Sequence, residues 1–209
     1  MSLFPIIPPA SKTPATIALT ASSVQGANQT AYTFSGQALG AAASDRRILV
    51  IASGMGANES VSTLTVGGVS ASLVKAQVDT STEQAIEIWD AAVPTGTTGD
   101  VVVTWASGVN RCGVAVFRAT AIAASATTVV GDDSGSPLAL TMTIPANGIG
   151  LAGSNNNNGE TSVWANLTEA YDEAIEVTHR QSGASLAYST LQTGLAVTCT
   201  LSGGGGSAL

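Results

Sequence analysis

Short runs of β-branched and apolar residues recur along almost the whole chain, and this pattern restricts the fold more than any other feature. From Thr16 onward about twelve such runs follow one another. Several alternate with a period of two residues, and Gly, Pro, Asn or Asp separate most of them, as is typical of the strands of a sandwich or barrel. The sequence therefore predicts an all-β fold, an antiparallel β-sandwich of jelly-roll or immunoglobulin-like type.

Two segments depart from simple alternation. The segment 47–51, RILVI, has four apolar residues in succession after Arg47, which predicts a strand covered on both faces, by the opposite sheet and by an arm or a neighbour. The stretch from Asn166 to Val177, NLTEAYDEAIEV, is a weak candidate for a helix.

Residues 1–15 differ from the rest of the chain because four prolines lie among large apolar side chains. Proline removes a backbone donor and fixes φ, so we expect an extended arm. A solvated tail would not carry so many apolar groups, so the arm is expected to dock on its own domain or on a neighbouring subunit. The predicted assembly residues are Leu3, Phe4, Pro5, Ile6, Ile7, Pro8 and Pro9.

Residues 16–209 are expected to form a single β-sandwich domain. Composition thins around GDDSGSPLA at residues 131–139, which leaves open a subdivision near residues 121–137.

Charge excludes several classes of partner. Fourteen acids against seven bases give a net charge of −7, which repels the nucleic-acid backbone, so no direct nucleic-acid contact is expected. No apolar run is long enough for a membrane-spanning helix, and the opening segment lacks the basic and apolar regions of an export signal. Synthesis in the cytoplasm is therefore expected.

The two cysteines, Cys112 and Cys199, lie in apolar alternating stretches. Buried free thiols are the favoured interpretation, because cysteine packs as a small hydrophobe. A disulfide between them is left open.

Few residues are suited to catalysis or metal binding. His179 is the chain's single histidine and neither cysteine has a CxxC partner, so the sequence predicts no zinc site and no Ser-His-Asp triad. Asp132 with Asp133, and Asp172 with Glu173 and Glu176, could form acidic pairs for glycoside hydrolysis. Carboxylates in turns more often cap backbone donors, so we expect no enzyme, no cofactor and no bound metal.

A polar loop is the best candidate for ligand binding. The predicted ligand residues are Asn155, Asn156, Asn157, Asn158 and Trp164, together with the segment from Asp132 to Ser136. Trp89 and Trp105 lie in strong β runs and are expected in the core. Trp164 is the tryptophan expected to be exposed, where it would stack on a sugar.

Three stretches resemble a known family. VGGVSASLV at residues 66–74, EIWDAAVPTGTTGDVVVTW at 87–105 and CGVAVFRAT at 112–120 are similar to a β-sandwich domain found in virion structural proteins of tailed bacteriophages and phage-like particles. The resemblance covers about residues 34–120. It implies a module displayed on the head, neck or tail, bound to other capsid, neck or tail subunits, with no catalytic residues.

These observations lead to a ranked set of hypotheses. The first is a non-enzymatic virion structural protein, assembled into the particle through its arm as a homo-oligomer. The alternative is a module on the particle that adheres to host glycans through the loop ending at Trp164. A third, a polysaccharide depolymerase, depends on the acidic pairs.

Overall fold

The computed structural model describes residues 13–56, 59–80, 82–122, 131, 136–203 and 207–208. The predicted arm residues Leu3 to Pro9, together with Asp132 and Asp133, lie outside the described residues. Every helix or strand element found in this part of the chain is a β-strand. No helix suited to crossing a membrane occurs among these residues.

The first half of the chain supplies nine strands, and all the pairings among them are antiparallel. They are β1 (Thr16–Gln25), β2 (Gln29–Ala38), β3 (Arg47–Met55), β4 (Val61–Val66), β5 (Val69–Ser70), β6 (Ser72–Asp79), β7 (Gln84–Ala92), β8 (Thr98–Val109) and β9 (Arg111–Thr120).

The second half supplies seven more strands among the described residues, again with antiparallel pairing. They are β10 (Leu138–Ile144), β11 (Gly148–Asn156), β12 (Ser162–Ala165), β13 (Thr168–Glu176), β14 (His179–Tyr188), β15 (Gln192–Leu201) and β16 (Ser207–Ala208).

These strands form four sheets, which we number by their place in the stack. Sheet 1 has the order β2-β8-β4-β5 and sheet 2 the order β1-β9-β3-β7-β6. Sheet 3 has the order β13-β14-β11-β16 and sheet 4 the order β10-β15-β12. The predicted all-β antiparallel sandwich fold is confirmed. Sheets 1 and 2 form a first sandwich, sheets 3 and 4 form a second, and the two sandwiches pack back to back.

Strand β3 shows why sheet 2 lies in the middle. Ile48 and Val50 belong to the core between sheets 1 and 2, which also contains Trp105. Leu49 and Ile51 point the other way, into a second apolar cluster shared with sheet 3. The successive apolar residues of this strand were predicted to need cover on both faces. The second cover is the chain's own sheet 3, not an arm or a neighbour.

An aromatic contact marks the centre of the layer between sheets 2 and 3. The rings of Phe117 on β9 and Tyr171 on β13 lie 6.3 Å apart and are tilted by 53°. Such tilted pairs add about 0.5–1.5 kcal/mol to the effect of buried area alone. A third core, between sheets 3 and 4, includes Leu138, Trp164 and Val197.

The chain passes from sheets 1 and 2 to sheets 3 and 4 between Thr120 and Leu138. This is the region where the sequence left a subdivision open. Because sheets 2 and 3 share an apolar cluster, the two sandwiches are packed against each other and do not merely follow one another along the chain.

The predicted helix over Asn166–Val177 is wrong, because residues Thr168–Glu176 form β13. Ile175 is buried while its neighbours Ala174 and Glu176 are exposed, as in the alternation of a strand. Helix-favouring Glu and Ala supply only a weak preference, and tertiary packing overrides it here.

The prediction for the cysteines is confirmed, since both are free and buried. Cys112 lies in the core between sheets 1 and 2, and Cys199 in the core between sheets 3 and 4. They cannot meet, because sheets 2 and 3 stand between those cores. Burial raises the pKa of the Cys112 thiol to about 12. The core positions predicted for Trp89 and Trp105 are confirmed as well.

Gly54 on β3 gives a test of the core between sheets 1 and 2. A Cβ at this position would overlap the Cη2, Cζ2 and Cζ3 atoms of the buried Trp105 ring. We expect Gly54→Ala to lower the free energy of unfolding by about 1–3 kcal/mol, because a ring enclosed on all sides cannot move away. Urea unfolding measures this change. Gly26→Ala is the matched control, since a Cβ there would contact nothing within 4 Å. Equal stability of the two variants would contradict this account of the core.

Candidate functional site

The residues of the predicted ligand loop differ in how deeply they are buried. Asn155 and Asn156 are buried at the end of β11, 0% and 1% exposed. Asn155 donates from Nδ2 to the backbone carbonyls of Ala85 at 3.0 Å and Gly54 at 3.3 Å. Asn156 closes its own turn through two hydrogen bonds with the backbone of Glu160. Both amides therefore hold the protein together and do not face a ligand.

Asn157 and Asn158 are the loop members that solvent reaches, in the bend after β11. Trp164, expected to be exposed, is 9% exposed and packs in the core between sheets 3 and 4. Its Nε1 donates to Ser182 Oγ at 2.8 Å. On β12 the inward positions are Ser162 and Trp164, while Val163 points outward. The alternation in SVWA already carried this signal.

Two acidic residues on β13, Asp172 and Glu176, bind neighbouring residues. Asp172 pairs with Arg180 at 2.5 Å and also accepts the Ser162 N–H at 3.1 Å. Glu176 pairs with Arg111. Such pairs fix the strand ends of sheet 3 to their neighbours and engage these carboxylates with arginines, whereas glycoside hydrolysis needs two carboxyl groups that face each other.

His179 lies at the start of β14, beside Glu176 at 3.6 Å and Thr178 Oγ1 at 3.0 Å. Burial and the nearby Arg111 lower the pKa of His179, and Glu176 opposes this shift. In the part of the chain that the structure describes, the hydrogen-bond and ion-pair partners of the His179 side chain are Glu176 and Thr178, and no serine is among them. The described residues also contain no group of three or more His, Cys, Asp or Glu side chains able to hold a metal ion.

Two charged groups lie deep inside the first sandwich, and both have structural partners. Arg46, 1% exposed, donates to the carbonyls of Val93 and Thr95 at 2.6 Å and of Gly40 at 2.8 Å. These hydrogen bonds tie together the loops at one end of the first sandwich. A shallow cleft lies nearby, lined in part by Asp45 and Ile122.

Glu87 on β7 is the buried acid of the first core. It accepts the Val61 N–H at 2.9 Å and the Trp89 Nε1–H at 2.8 Å. Burial raises the pKa of Glu87, and these donors oppose the shift. A perturbed carboxyl suggests an active site only where a cleft gives access to it. Glu87 is 1% exposed, so its bonds serve to fix β4 against sheet 2.

The outward face of sheet 1 is uncharged across its strands. One row runs Thr33, Val102, Thr65 and the next runs Ala31, Thr104, Thr63 across β2, β8 and β4. These side chains are exposed or half-exposed. Asp100, at the rim, has its carboxylate engaged with the Gly36 N–H at 2.8 Å.

The outward face of sheet 4, on the far side of the stack, has the same character. A row runs Ala139, Thr198, Ala165 across β10, β15 and β12. The other outward side chains of these strands are also small and neutral, namely Thr141, Thr143, Val163, Ala196 and Thr200. The protein thus presents two neutral sheet faces on opposite sides, whose burial against a partner would desolvate few strongly polar groups. We take these two faces as the candidate functional surfaces.

Sequence reasoning missed a polar layer buried between sheets 2 and 3. Ser53 and Gln84 reach it from sheet 2, and Asn155 and Gln181 from sheet 3, all fully buried. Gln181 packs directly over Gly113, where any side chain would overlap it. The Ser53 hydroxyl and the side-chain carbonyl oxygens of the other three have no hydrogen-bond partner among the described residues. The sequence signal for this layer was the presence of amide side chains at inward positions of strands whose other inward residues are small or apolar.

Comparisons with family models, with curated proteins and with solved structures find no match to this chain.

The polar layer predicts different outcomes for two amide replacements. Asn155→Leu removes two donated bonds, so we expect the free energy of unfolding to fall by about 1–3 kcal/mol. Gln181→Met removes a buried carbonyl oxygen that has no partner together with one long donated bond, Nε2 to Glu173 Oε2 at 3.4 Å, so we expect a change within about 1 kcal/mol. Urea unfolding of both variants checks this. A larger loss for Gln181→Met than for Asn155→Leu would show that Gln181 makes the more important contact.

Proposed function

We propose that this protein is a non-enzymatic structural component of a tailed phage or phage-like particle. In this proposal it is made in the host cytoplasm, is incorporated into the head, neck or tail, and binds copies of itself and other virion subunits. Its role is to hold and display a rigid body and not to transform a substrate.

The observation that carries the proposal is the pair of neutral faces on sheets 1 and 4. A subunit in an ordered assembly meets neighbours on more than one side, and each unpaired charge buried in such a contact is costly. Faces of Thr, Ala and Val avoid that cost, because they hold no ion to desolvate. Their positions on opposite sides of one body suit repeated contacts along an assembly.

The ionisable residues support the same proposal. The described charged groups that are most buried bind backbone groups and neighbouring side chains, as Arg46 and Glu87 do. Asp172 and Glu176, the acids on which the depolymerase hypothesis depended, are paired with Arg180 and Arg111. These contacts favour a structural role over hydrolysis.

The glycan-binding alternative has less support. Sugar recognition on a sandwich usually needs an exposed aromatic ring, and Trp164 is buried with its indole nitrogen bonded to Ser182. Asn157 and Asn158 remain as the accessible polar residues of the predicted loop.

The attachment mechanism rests on the sequence. Leu3, Phe4, Ile6 and Ile7 provide an apolar segment next to prolines, suited to a groove or sheet edge on a neighbouring subunit. The described body begins close to this segment, with β1 starting at Thr16. An arm of this kind would anchor the body while leaving its sheets intact.

Removal of residues 1–14 tests the attachment. In cells that produce the particle, we expect the shortened chain to fold but to be lost from particles purified on a density gradient, because its apolar anchor is gone. Detection of the chain by immunoblot in the gradient fractions gives the answer, and circular dichroism confirms folding. A full-length variant with Leu3, Phe4, Ile6 and Ile7 changed to Ser should behave in the same way. Normal incorporation of both would refute the anchoring role.

The neutral faces can be tested separately. We expect Thr33→Lys on sheet 1 and Thr141→Lys on sheet 4 to reduce incorporation at least about tenfold, since each places an unpaired charge in a neutral contact. Val177→Lys adds the same charge in the 91% exposed turn after β13 and serves as the control. Melting temperatures should match the parent protein. Wild-type incorporation of both face variants would remove the faces from the proposal.

A further inference from the structure

Strand β1 forms one edge of sheet 2 and pairs along one side only, with β9. It is ten residues long, TIALTASSVQ, and contains neither a charged residue nor a proline. No strand of the described residues lies along its other side. An unpaired edge of this length presents a row of backbone donors and acceptors, and natural proteins usually protect such edges with charges, prolines or cover.

The other long edges of the described sheets carry such protection. β13 bears Glu169, Asp172, Glu173 and Glu176. β6 bears Lys75 and ends at Asp79.

The two remaining long edges are occupied or irregular. On β2 the Thr33 carbonyl accepts the Gln25 side chain at 2.8 Å, and two shifts of register interrupt the strand. On β10, Ala139 and Thr143 already have interaction partners. Among the described residues, β1 therefore has a long, neutral edge that a single shift of register interrupts.

A shift of register in β1 determines the alignment in which a second copy could pair with it. The shift lies between Leu19 and Ala21, so Thr20 is an extra residue relative to β9. Ile17 and Leu19 consequently pack toward sheet 3, whereas Ala21 packs toward sheet 1. The side chains before and after Thr20 thus follow opposite alternations.

This switch sets the alignment in which β1 can pair with a second copy of itself. In an antiparallel pair, residues directly opposite each other point to the same side of the sheet. A twofold axis between Thr20 and Ala21 places Thr16 opposite Gln25 of a second copy, and Ala18 opposite Ser23. The two residues of each such pair point to the same side of the sheet because of the shift at Thr20. A strand without the shift would put these partners on opposite sides.

We propose that β1 pairs with β1 of a second copy across a twofold axis, which extends sheet 2 through both molecules. The pairing uses all ten residues, brings no like charges of β1 together, and matches the irregularity of one strand with that of the other. In the neighbouring layer, Asp172 and Glu176 are paired with Arg180 and Arg111, which leaves Glu169 and Glu173 as the acids of β13 that oppose the approach of two copies. The inference goes beyond the virion proposal, since it holds wherever the protein acts.

Light scattering of the full-length chain over a range of concentrations tests the pairing. We expect a dimer, and we expect Ala18→Lys to raise its dissociation constant at least about tenfold, because the twofold axis brings two new charges into the interface. Ala18 is exposed, so the folded chain should tolerate the change. Val177→Lys is the control of equal charge and should remain dimeric. A monomeric parent protein, or a dimer unaffected by Ala18→Lys, would overturn the proposal.

Paired cysteines test the register itself. The double variant Ala18→Cys/Ser23→Cys should form intermolecular disulfides on mild oxidation, since these positions face each other on one side. Ala18→Cys/Ser22→Cys, with its thiols on opposite sides, should not. Native Cys112 and Cys199 are buried and are not expected to interfere. Equal cross-linking of the two variants would refute the register.

Deletion of residues 1–14 separates this inference from the arm. A truncated chain that remains dimeric supports pairing through β1. A truncated chain that becomes monomeric, while Ala18→Lys stays dimeric, would overturn pairing through β1 and leave the anchoring role of the arm standing.

Discussion

The packing of sheet 2 between sheets 1 and 3 is the constraint on which the rest of this structure depends. Each central strand of sheet 2 must be apolar on both faces, and β3 meets that requirement with Ile48 and Val50 on one side and Leu49 and Ile51 on the other. Without sheet 3, the second set would form an exposed apolar surface. The second sandwich therefore acts as the cover that makes the first one stable in water.

This arrangement also explains where charge and neutrality lie. The inner sheets hold the buried amides and the ion pairs, Asp172–Arg180 and Glu176–Arg111 on β13 and Arg47–Asp90 between β3 and β7. The outer sheets use inward Val, Leu and Trp for their cores and are left with Thr, Ala and Val on the outside. Charged residues make up 10% of the chain, against about 25% in an average domain, and they lie mostly away from the outer faces.

Prediction from sequence succeeded where the period of the pattern decides the structure. The alternation of β-branched residues was enough for the fold class, and the apolar surroundings of Cys112 and Cys199 were enough for buried thiols. It failed at Asn166–Val177, where residue preferences were weak and pairing with β14 decided the outcome. It also failed at Trp164, because the alternation in SVWA covers only four residues and the polar loop before it favoured exposure.

The sequence by itself determined that this chain forms neutral antiparallel sheets, since a two-residue period and turn residues act locally. Tertiary structure alone decided which sheet covers which, because that choice depends on residues far apart, such as Phe117 against Tyr171. It likewise decided that Asn155 and Gln181 lie in a buried layer and that β1 remains at an edge. Burial and edge position are properties of the whole assembly of strands, and no short segment contains them.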